Sequence, residues 1–456
     1  MALLTKSQIM EVILFVILPS QSHYMSSFAF AQELAKKRFK VIFTGHGKNI
    51  ESLVKQNGFE YVEMAYQTEY AIPSLKYFFS ILIVSLISKD LLLKRYKEFY
   101  DNILEVKRIV NLTKAETVFI DEHLYQYYFY FLAEKCKIFI LKTKLLTNKQ
   151  GNNPPLSSPY IPKSTFISKI VNELLWIKVL LGHKLKALKY KLAFCGKDDN
   201  FFIERFCKKQ NINYNAIVNK QSTFYYGLKN VQKVILTPEY LDINVEKNDY
   251  STYICLEYKR KEDLYLTESY QQFKNQIGKL NNQKIILCSF GTVIHAKNTV
   301  VIDFLNRLNN AVKDKNYVLI IVSKNPNIIK NKNSNVYIFP VIPQLDVLQY
   351  CDIMIHHGGL NTIKECLQFQ VPMLIYTPKK DSFDRIGNAA RISFKGLGLV
   401  GNIYNDNSNE IEEKIKQALS IKIPKQEFEQ EYKKVEKFIA EKLLSPSVEN
   451  APLINH

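Results

Sequence analysis

The stretch HHGGLNTIKE, residues 356–365, is where the reading of this chain begins. It follows the apolar run Ile353 to Ile355, turns on Gly358 and Gly359, and opens a segment whose first turn carries Asn361 and Thr362. Strand, glycine turn and helix start in that order make one βα unit of a parallel sheet. The glycines let backbone approach a ligand closely, while free N–H groups at the helix start and the hydroxyl of Thr362 are donors suited to a diphosphate. Glu365 falls one helical turn past Asn361, where a carboxylate can accept hydrogen bonds from both vicinal hydroxyls of a ribose. Such a turn can also be purely structural, so its surroundings must decide.

Upstream and downstream of that unit the apolar runs continue at βα spacing: 284–290 (KIILCSF), 317–323, 336–339, 352–356 and 371–376. They predict a doubly wound parallel sheet. An earlier series, 11–18, 40–44, 117–120 and 137–141, with an amphipathic helix over 23–37, predicts a second one. The expected fold is therefore α/β with two Rossmann-like domains facing a central cleft. Residues 1–258 form the first, 259–424 the second, and 425–456 a helix and tail packing back on the first; the charged stretch 257–263 is the linker. The regions 66–112 and 160–230, aromatic, basic and helical in pattern, read as insertions on the first sheet, interrupted by the loop GNNPPLSSPYIP at 151–162.

Composition narrows the class. A chain of 456 residues with 47% hydrophobic residues and only 15 Gly and 15 Pro is globular and exceeds one core. Seven scattered cysteines without a C-x-x-C pair suggest neither a disulfide framework nor a zinc site, which fits a reducing, cytoplasmic setting. The run Ile13 to Leu18 is short and leads into a Pro-Ser turn, so it reads as a buried strand rather than a secretory signal. No stretch has the roughly 20 apolar residues that span a bilayer.

The net charge of +19 favours polyanions, whether nucleic acid, anionic lipid or phosphorylated substrates. No nucleic-acid motif accompanies it and the lysines are dispersed, so nucleic acid is not an expected partner. Residues 176–194, WIKVLLGHKLKALKYKLAF, set Lys178, Lys184, Lys186, Lys189 and Lys191 among large apolar residues at near-helical spacing. Two readings follow: a surface helix packing Leu180, Leu181 and Leu185 inward, or a helix lying peripherally on the anionic inner face of a membrane.

The donor segment resembles the motif H-G-G-x-N-[ST]-x-x-E of the UDP-glycosyltransferase superfamily, which has the GT-B fold, and in particular its bacterial macrolide-glycosyltransferase branch. His357, Gly358, Gly359, Asn361, Thr362 and Glu365 fill every fixed position. The likeness extends to SFGT at 289–292, VIPQ at 341–344, VP at 371–372, DR at 384–385 and NAAR at 388–391, in the family's order. It implies that Ser289, Gly291, Thr292, His357 and Thr362 hold the diphosphate, that Glu365 holds the ribose, and that Val341 and Gln344 lie against the base. It further implies that Asp384 and Arg385 meet the sugar. Two departures bear on specificity. Val341 stands where many relatives stack a ring on the base, leaving UDP or TDP open. Arg385 replaces the usual Gln, so the guanidinium faces either an anionic sugar or a structural salt-bridge partner.

Transfer to a hydroxyl requires a base within hydrogen-bond reach, and imidazole suits the task. His23 follows the first strand where open α/β sheets place ligands, and the family keeps a histidine there, usually after Gly rather than Ser22. Asp121, 98 residues on and after the strand TVFI, corresponds to an aspartate that orients this histidine in the plant branch; Glu122 and His123 are adjacent alternatives, while His356 reads as structural. The resemblance thus implies an inverting hexosyltransferase with catalytic His23 and Asp121, using a nucleotide-sugar co-substrate and no metal, since Asp-x-Asp is absent. Its acceptor would be a hydrophobic hydroxyl-bearing compound or lipid held in an apolar pocket formed by the aromatic stretches near 66–130 and 160–230. A non-catalytic nucleotide-sugar-binding protein or subunit is the alternative.

Overall fold

A computed structural model describes residues 11–65, 75–87, 89–219, 227–243, 249–259, 267–277, 283–291, 299–313, 315–378 and 384–445. Thr292 and the linker positions 260–263 lie outside the described residues.

The first sheet contains β1 (Val12–Val16), β2 (Lys40–Gly45), β3 (Glu60–Glu63), β4 (Thr117–Asp121) and β5 (Lys137–Lys142). A two-stranded antiparallel ribbon, β6 (Val218–Asn219) with β7 (Gly227–Leu228), precedes its last strands β8 (Lys233–Ile235) and β9 (Ser251–Tyr253). The sheet order is β3-β2-β1-β4-β5-β8-β9, parallel throughout. The second sheet comprises β10 (Lys284–Ser289), β11 (Tyr317–Val322), β12 (Val336–Phe339), β13 (Ile353–His356), β14 (Met373–Tyr376) and β15 (Gly398–Gly401). Its order, β12-β11-β10-β13-β14-β15, is also parallel throughout.

Both central strands are apolar on both faces because helices cover both sides. Along β1, Ile13 and Phe15 enter one core while Leu14 and Val16 enter the other; along β10, Ile285 and Leu287 alternate likewise with Ile286 and Cys288. Phe15 stacks on Phe43 and Phe119 at 4.8 and 5.0 Å between ring centroids, and Phe119 on Phe139 at 5.1 Å, a ladder across β2, β1, β4 and β5. The helix Phe428–Phe438 caps this ladder with Phe438, 5.1 Å from Phe139, so this helix packs on the first sheet. Each such buried ring contributes about 1.5–3 kcal/mol.

In both sheets, strand order reverses at the centre, between β1 and β4 and between β10 and β13. A crevice opens at the carboxyl ends of the strands at each such point. The halves are also latched by Arg391, which is fully buried and donates to Asp242 at 3.1 Å and to Asn153 at 2.7 Å in the 151–162 loop. Burial alone would push the Asp242 carboxyl up, and the guanidinium opposes that.

The insertions are helical: Leu75–Ile87, Lys89–Thr113, Phe166–Ala193 and Asp199–Lys209. Their placement corrects two expectations. Leu181 and Leu185 do not pack inward but are 53% and 66% exposed, whereas Trp176 and Tyr190 on the same helix are buried. The aromatic run Tyr127 to Phe131 fills the first domain's core instead of lining an acceptor pocket.

Candidate active site

The two switch points face one cavity of about 420 Å³. From the first sheet it receives His23, Met25, Thr143 and Lys144; from the second, Gly291, His357, Gly359, Thr362, Glu365, Asp384 and Arg385.

On the first side, the helix Gln21–Lys36 starts immediately beyond β1, with Ser20 extended as its cap residue. Tyr24 fixes this helix by donating to the Thr44 carbonyl at 2.6 Å, and the neighbouring His23 lines the cavity. There His23 Nδ1 lies 2.6 Å from Asp121 Oδ2, at the end of β4. The other carboxylate oxygen accepts from the His123 backbone N–H at 3.0 Å and lies 2.8 Å from His123 Nδ1. Burial by itself raises the Asp121 carboxyl, but the His23 and His123 imidazoles outweigh it and hold the group well below the usual carboxylate range. An ionised Asp121 assigns the proton to His23 Nδ1 and leaves Nε2 as the basic atom. Glu122, in contrast, turns to Lys142, 3.2 Å away.

His23, Asp121 and His123 are the group among the described residues whose ligand atoms converge closely enough, within 4.8 Å of one another, to hold a metal ion. Both carboxylate oxygens already accept from imidazoles, an arrangement that orients a base.

On the second side, Ser289 pairs in register with His356 across β10 and β13, so the turns after these strands sit side by side. Gly291 has φ +68°, and a Cβ there would lie 2.9 Å from the His357 ring. Gly358 has φ +91°, and a Cβ would come within 2.8 Å of the Arg385 carbonyl. Both positions therefore require glycine. Asn388 braces this turn by donating to the Gly358 carbonyl at 3.0 Å, and His356 Nδ1 accepts the Gly358 N–H at 3.2 Å. Burial pushes the His356 imidazole down to about 3, and burial, aided by Arg385 and His356, holds that of His357 well below its ordinary value. Both are neutral near pH 7.

The helix Leu360–Gln368 then presents three faces. Leu360, Ile363, Cys366 and Leu367 enter the core of the second domain. Thr362 and Glu365 line the cavity, and the first turn has no acidic residue to oppose an anion. Asn361, Lys364 and Gln368 meet the first domain or the segment leading out of it. Asn361 Nδ2 donates to the Ser22 carbonyl at 3.1 Å, while its Oδ1 accepts from Ser26 at 2.7 Å and Tyr258 at 3.1 Å. Lys364 donates to the Leu236 carbonyl at 2.9 Å, and Gln368 accepts from the Tyr258 N–H at 2.8 Å.

Several sequence assignments gain detail here. Asn361 borders the cavity, but its side chain is committed to joining the domains. Glu365, almost fully buried, holds Gln344 through a side-chain hydrogen bond. Ile342 and Pro343, rather than Val341, form the apolar wall beside Gln344. Ser289 contacts the Gly291 N–H at 3.4 Å, behind the turn. Arg385 borders the cavity close enough to His357 to disfavour its protonation.

The family model of the erythromycin biosynthesis protein CIII-like C-terminal domain matches residues 306–434. The uncharacterized UDP-glucosyltransferase YdhE of Bacillus subtilis is 35% identical over 109 residues, 23% of this chain and 26% of the relative. The NDP-glycosyltransferase YjiC of the same organism is 27% identical over 122 residues, 26% of this chain and 29% of the relative. The matched stretches thus span only about a quarter of these relatives' length. Among solved structures, the glycotransferase of kitacinnamycin has a TM-score of 0.62 at 14% identity, covering 94% of this chain and 93% of that one. The calicheamicin glycosyltransferase CalG4 likewise scores 0.62 at 12% identity, with 95% of each chain covered. At these identities the structural likeness speaks for the fold, which is GT-B. The chain is thus similar over residues 306–434 to the erythromycin biosynthesis protein CIII-like C-terminal domain and, over shorter stretches, to Bacillus glycosyltransferases, and it shares the GT-B fold of the kitacinnamycin and calicheamicin enzymes.

Proposed function

We propose that the protein transfers a hexosyl unit from a UDP- or TDP-sugar to a hydroxyl of a hydrophobic small molecule or lipid, with inversion and without a metal. The observation that carries this reading is the opposition, across one cavity, of the His23–Asp121 pair and the glycine turn at 357–359. His23 Nε2 accepts the acceptor proton, the oxygen attacks the anomeric carbon opposite the diphosphate, and the bond to the diphosphate breaks. Departing charge is met by the N–H groups at the start of the helix Leu360–Gln368, by Thr362 and by the neutral His357. Arg385 adds a positive charge at the same end of the cavity. Ile342 and Pro343 supply an apolar surface for the base, with Gln344 and Glu365 toward base and ribose.

A thymidine donor deserves equal trial with a uridine donor, because the spinosyn rhamnosyltransferase SpnG, of similar fold, was solved with thymidine diphosphate. The test is release of UDP or TDP from a panel of nucleotide-sugars, with and without EDTA, using the wild type and Glu365→Ala. Chelator-insensitive use of one donor, lost in the variant, is the expected result. Failure to bind any donor would overturn the assignment, and binding without turnover in the presence of acceptors would favour a non-catalytic binding protein. Chelator-sensitive turnover would instead make the imidazole–carboxylate cluster a metal site.

A further inference from the structure

The helices Leu75–Ile87 and Phe166–Ala193 pack on one another outside the catalytic cavity, around a small cluster in which Phe78, Ile81 and Leu91 meet Tyr190, Ala193 and Phe194. Lys189 Nζ sits 5.6 Å from the centre of the Phe78 ring, and Trp176 donates to the Asn153 carbonyl at 2.7 Å. The inner face of the long helix is thereby accounted for. Its outer face is not polar, as a solvated helix requires. Leu174, Ile177, Leu181, Leu185, Leu188 and Leu192 are all 50–66% exposed. At 3.6 residues per turn they fall in one stripe, an arc of roughly 80°. Phe79, Ile83 and Leu86 on the neighbouring helix, at the same three- and four-residue steps, are 53–69% exposed.

Charge identifies what covers this stripe. Lys178 and Lys189 border it on one side and Lys184 and Lys191 on the other, the placement of a helix whose lysine stems lie along apolar surface with their heads among anions. Glu173 is the sole acid of the helix and is held by Lys149 at 2.5 Å. A second copy docking face to face would set lysine rows against lysine rows, which is repulsive. Among the described residues no helix is long and apolar enough to cross a membrane. We infer that this face docks the protein peripherally on an anionic lipid surface, the leucine stripe entering the acyl boundary and the lysines meeting lipid phosphates. The long helix is also joined to the cleft: Asn153, whose backbone carbonyl receives Trp176, gives its side chain to Arg391 of the donor domain.

The inference is independent of the reaction proposed above, and so is its test. The full chain is sedimented with vesicles of phosphatidylcholine alone and of phosphatidylcholine with roughly one-third phosphatidylglycerol, at low and high salt. Preferential, salt-weakened binding to the anionic vesicles is expected. The double variant Leu181→Glu/Leu185→Glu should lower that partitioning by about 10- to 100-fold. Lys184→Glu/Lys191→Glu should lower it and flatten its salt dependence. All four positions are solvent-exposed, so thermal unfolding of both variants should match the wild type and exclude misfolding as the cause. Equal binding to both vesicle types, no binding, or retention of binding by the leucine variant would overturn the proposal. So would a wild-type dimer that the leucine variant dissociates, which would assign the face to a second copy.

Discussion

The two switch points that meet in the cavity are topologically alike and chemically opposite. At the first, the proposed function would reside in side chains: an imidazole beyond β1 is aligned by a carboxylate at the end of β4, and a second imidazole holds the carboxylate's other oxygen. At the second, much of it resides in the backbone: glycine turns, a helix start and neutral histidines packed against them, braced by Asn388. Moving a proton requires a titratable atom in one orientation, whereas binding a diphosphate requires several donors at once and no competing negative charge. Under the proposed function, the same parallel-sheet crevice would serve chemistry on one side and grip on the other. Removing a side chain should therefore damage turnover on the first side and affinity on the second.

The sharpest test of that contrast is His23→Ala or Asp121→Asn. Either should lower kcat by about 10² to 10⁴ while leaving the donor Kd near that of the wild type, because base and tautomer are lost but the grip is not. An equal loss in donor affinity would break the contrast.

Acid stability gives the next largest effect. The His356 imidazole is lowered in the folded state to about 3, so below its ordinary pKa of about 6.5 the unfolded chain binds a proton that the folded chain refuses. Stability should fall as pH drops through that window, by up to about 1.4 kcal/mol per pH unit from this group. Asp121 acts in the same direction at lower pH: its depressed carboxyl contributes stability above the ordinary carboxylate pKa of about 3.9, which is lost on further acidification. His356→Asn keeps an acceptor for the Gly358 N–H and should flatten the upper part of this slope in denaturant melts. An unchanged slope would show that His356 protonates without consequence.

Gly358→Ala combines a strained φ with a contact onto the Arg385 carbonyl. It should weaken donor binding by about 10- to 100-fold, corresponding to roughly 1–3 kcal/mol, measurable by titration calorimetry. Asn361→Ala is the mildest of the set, since its bonds join domains rather than hold ligand. A rise of about 3- to 10-fold in KM for donor and acceptor together is expected from the lost hydrogen bonds. A donor-only effect would return Asn361 to the diphosphate site.

The donor turn was legible because its parts are local: within ten residues the chain displays a strand, two glycines, a helix start and a carboxylate one turn on. Short or atypical strands were not. β3 reads EYVE and is largely solvent-facing, β8 has three residues, and β15 carries glycine at both ends, so none shows a buried-strand run. His123 was visible only as a neighbour of Asp121; that both carboxylate oxygens are engaged depends on the turn at Glu122–Leu124.

Residue order alone determined the two parallel α/β sheets and the glycine turn with Thr362 and Glu365, because these rest on periodicity, backbone freedom and motif spacing, whereas the histidine–aspartate pair was implied only by the family resemblance. Tertiary structure alone decided that Asn361 joins the domains, that Ile342 rather than Val341 walls the cavity, and that the leucines of the long helix face outward. The physical reason is shared: a helix fixes which residues lie on one face, but only packing against a distant segment decides which face is buried.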